Sequence, residues 1–500
     1  MGDSSAEREW DAIFCSSISD VARDSGDIDC LVIGSGTAGV TTAVRLAEHG
    51  LRVVILEAGP LKLLSHIANA RLATAGGLAA KLSKSATIPG VWSSSADADG
   101  GGPGWPVPTW VTVGGRSLFW SGNAPRYQDW DFDSWPIDAG AMADYYDQAE
   151  SLMRISGAGD TRRPPFYQSA SQTTIIGQLV AAGWPARPTP TAIDTAADRR
   201  LGAGFDSATA RLLSCPHLGD FTEGARISLV ADAVATRLSI DGDRVSGVEV
   251  LHRPSDAVFT LRPRHVTLAG GALQSSRLAL KSGLAQHNPL VGCYLSDHLF
   301  LEGRVEFLDA GPDGPLNLLV DPSPDRPYQV QVQGAMDTTA YYESPSGESS
   351  ANSALVTLAA FGVGSASRDN RVVLTGGEGS AGDGMHDLRV VYDRSADDEK
   401  CLQAMREGAG EVVSAFGARL ADIQVHAPGV ALHEVGGLRM SDDPDVGVTD
   451  TNGRFWQVRN LSAADASVFP AQGAANPYLT ITAWSLRHAD ALARDLAGAT

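Results

Sequence analysis

Cysteine is scarce in this chain and its spacing has no pattern. The five cysteines among 500 residues (Cys15, Cys30, Cys215, Cys293 and Cys401) are odd in number, widely separated, and form no Cys-x-x-Cys pair. That excludes a disulfide framework and a zinc ribbon, and it predicts reduced thiols in a cytoplasmic protein with no metal centre. Basic residues are also short: 39 Lys and Arg face 59 Asp and Glu, a formal net charge of −20. Such a surface argues against nucleic acid and anionic membranes as partners; it suits a neutral or cationic small molecule, or is simply a solvated acidic exterior. No apolar run reaches the roughly 20 residues of a membrane span. The first 28 residues hold no basic segment followed by an apolar run, so no secretory leader is expected. Gly2 after Met1 is too little to read as a myristoylation signal. No internal repeat is evident. What is present is ordinary globular material, 43% hydrophobic and 20% charged, long enough for two or three domains.

The most informative stretch runs from Asp29 to Gly59. Asp29 to Ile33 reads as a short buried strand, and Gly34-x-Gly36-x-x-Gly39 follows at once. The next turns place Val40, Ala43, Val44 and Ala47 at helical spacing, and Gly50 offers a C-terminal stop. Leu51 to Leu56 is a second strand, closed by Glu57. This order of strand, glycine turn, helix, strand and acid is the dinucleotide fingerprint. Gly34 permits the tight turn, Gly36 lets backbone approach a pyrophosphate, and Gly39 lets the helix pack on the strand. The helix N-terminus presents unpaired N–H groups to phosphate. Glu57 suits a ribose hydroxyl. The motif alone leaves NAD and FAD equally open.

Further along, Ser93 to Gly104 is a Ser-, Asp- and Gly-rich loop that fits a lid or a plain surface insertion. Met142 to Leu152 reads as a helix, and Pro164 to Arg199 as a crossover between lobes. Arg226–Leu238, Val245–Leu251 and His265–Ala269 read as strands, with Asp241-Gly242 as a hairpin turn. Leu273–Lys281 is a helix after a second strand–glycine junction at Ala269. Segments 301–307, 328–333, 355–361, 371–374 and 388–392 read as an antiparallel sheet, covered by a helix over 396–416. Asn460–Asp465 is a strand ending in an acid. A helix over 478–496 then has Asn476 as N-cap and Pro477 at its first position. The expected architecture is α/β: a discontinuous nucleotide-binding unit (28–160, 200–298, 430–500), a substrate unit (161–199, 299–429) and an N-terminal arm (1–27).

Taken together these motifs resemble the glucose–methanol–choline (GMC) flavin oxidoreductases. The resemblance is carried by Gly34–Gly39 with Glu57, by Gly114–Asn123, by Leu268–Arg277, by Ser296-Asp297-His298, by His433–Met440, by Asp465–Pro470 and by Asn476–Thr480. It implies FAD rather than NAD. Gly34, Ser35, Gly36, Thr37, Ala38 and Gly39 would then hold the pyrophosphate, and Glu57, with Ala58 beside it, the adenosine ribose. Gly115, Arg116, Ser117, Trp120, Ser121, Gly122, Asn123 and Ala124 would run along the isoalloxazine, with Ser121 near its reactive edge. Ala235 would touch the adenine, and Ala269 belongs to the second glycine junction. Asp465 and Ala466 would approach the ribityl chain, and Pro477, Tyr478 and Leu479 the pyrimidine end. The segment around Trp120 is most similar to pyranose oxidase-like sugar oxidoreductases. Those enzymes carry a histidine there that bonds FAD covalently; this chain has Phe119, which implies FAD bound without a covalent link.

Oxidising an alcohol needs a base and a hydride acceptor. A flavin supplies the acceptor, and neutral histidine suits the base. The resemblance puts the base at His433 and its partner at Asn476. Gln331 and Gln333 give one strand a polar face that suits a sugar or other polyol, or solvent. His298, His386 and His426 are lesser candidates for the pocket. The expected activity is oxidation of an alcohol, with oxygen, a quinone or another carrier as acceptor. The alternatives are a hydroxynitrile lyase-type reaction on the same scaffold and an NAD-dependent dehydrogenase.

Overall fold

The computed structural model describes residues 13–66, 69, 92–94, 105, 108–158, 163–166, 169–196, 204–309, 311–334, 356–376, 385 and 387–498. Most of the Ser93–Gly104 loop, most of the expected N-terminal arm and His386 lie outside these residues. The first architectural unit is a parallel sheet. Its strands lie in the order Leu461–Ala463, His265–Leu268, Cys30–Ile33, Val53–Leu56 and Ile227–Val230, and every neighbouring pair is parallel. The strands are buried almost throughout because both faces are covered. The helix Thr37–Glu48 packs on one side, and the last helix, Tyr478–Gly498, packs against it. Thr37 and Thr482 hydroxyls meet at 3.0 Å, and Arg45 Nε reaches Asp490 Oδ1 at 2.6 Å. The two ends of the chain therefore build one layer.

The second unit is a six-stranded sheet in the order Ala418–Val425, Leu299–Phe307, Val356–Gly362, Tyr328–Gly334, Leu316–Val320 and Ala186–Pro188. All its pairs are antiparallel. Strand alternation assigns its two faces. Leu301, Val305, Val330, Val332, Leu358 and Ala360 form a core with Leu402, Met405 and Val412 of the helix Ala396–Ser414 and with Ile175 and Leu179 of the helix Ala170–Ala181. The intervening residues point the other way, into a cavity. Among the described residues no helix is long and apolar enough to cross a membrane.

Two expectations need correction, and one segment is more regular than expected. The segment 226–238 is two strands, Ile227–Val230 and Ala233–Asp241. The break is Asp232, at φ 52°, a conformation that aspartate tolerates better than branched residues. Strands 371–374 and 388–391 form a two-stranded sheet of their own, outside the six-stranded sheet. The supposed crossover 164–199 contains the helix Ala170–Ala181, started by Ser169, whose side chain accepts from Gln172 N. The strands Leu316–Val320 and Ala418–Val425 escaped the sequence pattern altogether.

His265 sits fully buried on the central sheet with its Nε2 2.8 Å from Ser462 Oγ. Burial, helped by His488, pushes its pKa down to about 3. The unfolded imidazole protonates near pH 6.5 while the folded one stays neutral. Stability is therefore full above that pH and declines as pH falls from about 6.5 towards 3. Between pH 7 and 5 the loss from this group is about 2 kcal/mol. A His265→Gln variant should lose that much less stability over the same interval in denaturant titrations. An equal loss in both proteins would contradict the assignment.

Candidate active site

A cavity of about 610 Å³ lies where the two sheets face each other. Its inner end is built from glycine. Gly36 is the N-cap of the helix Thr37–Glu48 and no side chain caps it; a Cβ there would meet nothing within 4 Å. Gly270 likewise begins the helix Gly271–Lys281 without a side-chain cap, and a Cβ on Gly271 would also stand in open space. Both helix N-termini open on one cavity, and the uncapped Gly36 end is the fit for a pyrophosphate. Gly39 serves packing instead, since a Cβ there would lie 1.9 Å from Gly34 O; its bare backbone lets the helix close on the turn.

Glu57 lines the same end. Its Oε2 accepts from Ser35 N at 3.0 Å and Ser35 Oγ at 2.6 Å, and Oε1 accepts from Gly59 N at 3.0 Å. Burial raises its pKa and these bonds offset part of the rise. Asp465 mirrors it across the cavity. Its Oδ2 accepts from Gly271 N at 2.7 Å and Ser275 Oγ at 2.6 Å. Asp465 thereby fixes the second helix N-terminus to the C-terminal segment.

The outer end carries the candidate chemistry. His298 Nε2 lies 2.7 Å from Gly473 O. A carbonyl only accepts, so Nε2 bears the hydrogen and Nδ1 of neutral His298 is an acceptor. Gln472 Nε2 donates to that Nδ1 at 2.9 Å, and His433 Nδ1 lies 2.9 Å from it. The network therefore assigns the His433 hydrogen to Nδ1 and leaves the lone pair on Nε2. Packing on all sides but the cavity edge pushes His433 down to about pKa 3, with the Arg116 charge contributing. His298 is lowered further by burial and then by His433. Both rings are neutral at physiological pH.

Asn476 is held from the opposite side. Its Oδ1 accepts from Gln329 Nε2 at 2.9 Å and Gln331 Nε2 at 2.7 Å. Its Nδ2 therefore faces His433 Nε2, 3.4 Å away. The expected N-cap role is corrected here: two glutamines occupy the oxygen that a cap would use. Asn123 Nδ2 donates to Gln331 Oε1 at 2.9 Å, while Asn123 Oδ1 is buried without a partner among the described residues. The fork of Arg116 takes Leu432 O at 2.8 Å and both oxygens of Glu434 at 2.5 and 2.9 Å, bracketing His433. His433 N in turn donates to Asp297 Oδ1 at 3.0 Å; burial and the nearby Glu434 carboxylate raise that carboxyl's pKa.

Of the residues singled out in the sequence, His433, Asn476, Gln331, Gln333, Ser35, Thr37, Ala38, Ala58, Gly115, Ser117, Trp120, Ser121, Ala235, Ala269, Ala466, Pro477 and Tyr478 all line this cavity. Trp120 and Tyr478 stack with centroids 3.8 Å apart. Six do not line it: His298 lies against His433, and His426 meets Glu302. Gly39 packs the helix, Ala124 and Leu479 are core residues, and Gly122 takes φ 80° beside Phe205. His298, Gln472, Gln329 and Glu434 were underrated or missed. The period-two run Tyr328–Gly334 held the signal for Gln329; nothing local marks Gln472.

Filling the open glycine cradle tests it. Gly36→Val should weaken FAD retention at least tenfold in reconstitution titrations while circular dichroism stays native. Unchanged affinity would show that the cradle is not where the cofactor lies.

The chain is similar in sequence and fold to several known proteins. The chain is 26% identical to a paromamine 6'-oxidase from Streptomyces fradiae, over 95% of this chain and 93% of that protein. It is 28% identical to a 6'''-hydroxyparomomycin C oxidase from Streptomyces lividus, over 94% and 92%. The fold matches the crystal structure of pyridoxine 4-oxidase from Mesorbium loti with a TM-score of 0.67 at 18% identity, covering 93% of this chain and 99% of that one. The N- and C-terminal sequence models of the GMC oxidoreductases match residues 28–300 and 366–485, and the chain belongs to the GMC oxidoreductase family, whose cofactor is FAD.

Proposed function

We propose that this enzyme oxidises a CH–OH group of a sugar, aminosugar or other polyol, with His433 as base and Asn476 as its partner. The observation that carries the reading is that the His433 lone pair sits on Nε2, within 3.4 Å of the Asn476 amide nitrogen at the cavity. An alcohol hydroxyl between them would give its proton to Nε2 and accept a hydrogen bond from Nδ2. When bound, FAD supplies the hydride acceptor for the alcohol carbon. His298, backed by Gly473 O, holds the His433 tautomer and steadies the imidazolium that forms. Gln329 and Gln331 prevent the Asn476 amide from flipping. Two relatives with oxidase names that specify aminosugar compounds support this class of substrate and favour oxidation over a lyase reaction.

The proposal extends to the cofactor's attachment and the layout of the chain. Phe119 lines the cavity and offers no nucleophile, which supports FAD held without a covalent bond. The residue ranges named above, with 28–160, 200–298 and 430–500 holding FAD and 161–199 and 299–429 facing substrate, follow the division between the two sheets. Five cysteines without a disulfide fit a reducing compartment such as the cytoplasm. Oxygen, a quinone or another carrier would take the electrons.

His433→Ala should slow anaerobic flavin reduction by roughly 100-fold or more; reduction near the wild-type rate would remove His433 from the mechanism. Because enclosure keeps His433 neutral, the wild-type reduction rate should stay flat from pH 9 to pH 6. A sigmoidal fall centred between 6 and 7 would contradict that environment. Acid precipitation should leave the yellow colour in the supernatant, whereas colour in the pellet would mean a covalent link.

A further inference from the structure

The cavity-facing side of the six-stranded sheet has an ordered composition that its register makes explicit. Phe300 pairs with Phe361, and Phe361 with Gln329. One step along, Glu302 pairs with Ala359, and Ala359 with Gln331. Residues in register share a face. Phe300, Glu302, Gln331, Ala359 and Phe361 all line the cavity that holds His433 and Asn476. The second row therefore reads carboxylate, methyl, amide across three adjacent strands. The strands carrying Glu302 and Gln331 are about 9.6 Å apart, two inter-strand spacings. Only the Ala359 methyl rises between them. The result is a trough with a low floor, an anionic wall and an amide wall.

Its inner end meets the base. The Phe361 ring lies 5.2 Å from the His433 ring, centroid to centroid, and Phe300 stacks on Phe361 at 4.8 Å. The amide wall is Gln331, whose Nε2 holds Asn476. A ring seated over Ala359 would have apolar faces against the phenyl rings and its polar edges towards Gln331 and Glu302.

The charge accounting singles out Glu302. Among the described residues, four carboxylates line the cavity: Glu57, Glu302, Glu434 and Asp465. Glu57 and Asp465 are engaged by backbone and hydroxyl donors at the glycine end. Glu434 is taken by both arms of Arg116. Among the described residues Glu302 meets only His426, whose Nε2 lies 2.8 Å from Oε2, and its side chain is 52% exposed. The neighbouring cation on its strand, Arg304, is engaged by Glu306 and Asp422. Glu302 Oε1 remains for an incoming donor. The protein's net charge of −20 adds a long-range pull on cations.

We propose that this trough is a subsite for a sugar-sized ring bearing a protonated amine, with Ala359 as its floor and Glu302 as the ammonium anchor. This rests on the alcohol-oxidation reading for the reacting hydroxyl at His433, and it adds the recognition element that selects amine-bearing substrates. The ammonium–carboxylate contact is partly open to water, so it contributes selectivity on a tenfold scale rather than a dominant share of affinity.

The experiment measures binding to the FAD-loaded enzyme by calorimetry, using paromamine and its fully N-acetylated derivative, alongside anaerobic flavin bleaching by each. Wild type should bind paromamine at least tenfold more tightly than the acetylated form. Glu302→Gln should raise the paromamine Kd about tenfold and move the acetylated ligand less than twofold. Ala359→Leu should weaken both ligands by tenfold or more. Equal affinity for the two ligands in wild type, no detectable binding of either, or an equal effect of Glu302→Gln on both would overturn the subsite. A Glu302-dependent preference without bleaching by either ligand would keep the subsite and sink the oxidation reading. Bleaching without any preference for the amine would do the reverse.

Discussion

The helix Tyr478–Gly498 lies along the helix Thr37–Glu48, and the candidate site depends on that contact. The interface is apolar at its centre: Ala489, Leu492 and Leu496 share a core with Val40, Ala43 and Leu46. Its rim is tied by Arg45 and His49 on Asp490. The pairing brings two distant parts of the chain into one layer. The segment leading into the last helix must then pass the mouth of the first. Asp465 reaches the second glycine junction, and Asn476 comes to rest beside His433. Loosening this helix pair would disturb the glycine cradle and the candidate base together, because both draw on segments that this packing helps to align.

A second constraint operates at the candidate base. Burying charge without a partner is costly, and the region around His433 avoids it. Both imidazoles there are kept neutral, and the Arg116 guanidinium between the sheets is matched by Glu434. Neutrality has a chemical use. An imidazole that stays unprotonated keeps its lone pair available, and the Gly473 carbonyl, acting through His298, decides which nitrogen carries it. The surrounding amides act in the same way on Asn476. Its orientation follows from two donors on a neighbouring strand rather than from its own helix. The His433 and Asn476 side chains are thus oriented by directional bonds among uncharged groups, while Asp297 and the Arg116–Glu434 pair hold the backbone around His433.

Legibility from the sequence varied with the range of the interaction. The Gly34–Gly39 turn, its flanking strands and Glu57 were plain because a local motif demands a local geometry. His433 and Asn476 were found through resemblance, and they converge on one cavity. The strand break at Asp232 was invisible because no glycine or proline marks it. Leu316–Val320 and Ala418–Val425 gave no clear alternation, one being buried on both faces and the other largely exposed at the sheet edge. His298 was discounted because a histidine inside an apolar context has no sequence feature that separates structural from functional use.

By itself the sequence determined the nucleotide fold, the reduced thiols, the acidic surface and the chemical types available for catalysis, since each follows from composition or from residues a few positions apart. Only the tertiary structure decided which nitrogen of His433 is basic, which group holds Asn476, and that Glu302, Ala359 and Gln331 stand in one row. Those outcomes depend on strand register and on contacts between residues far apart along the chain, and such distances in sequence carry no periodicity from which a neighbour is read.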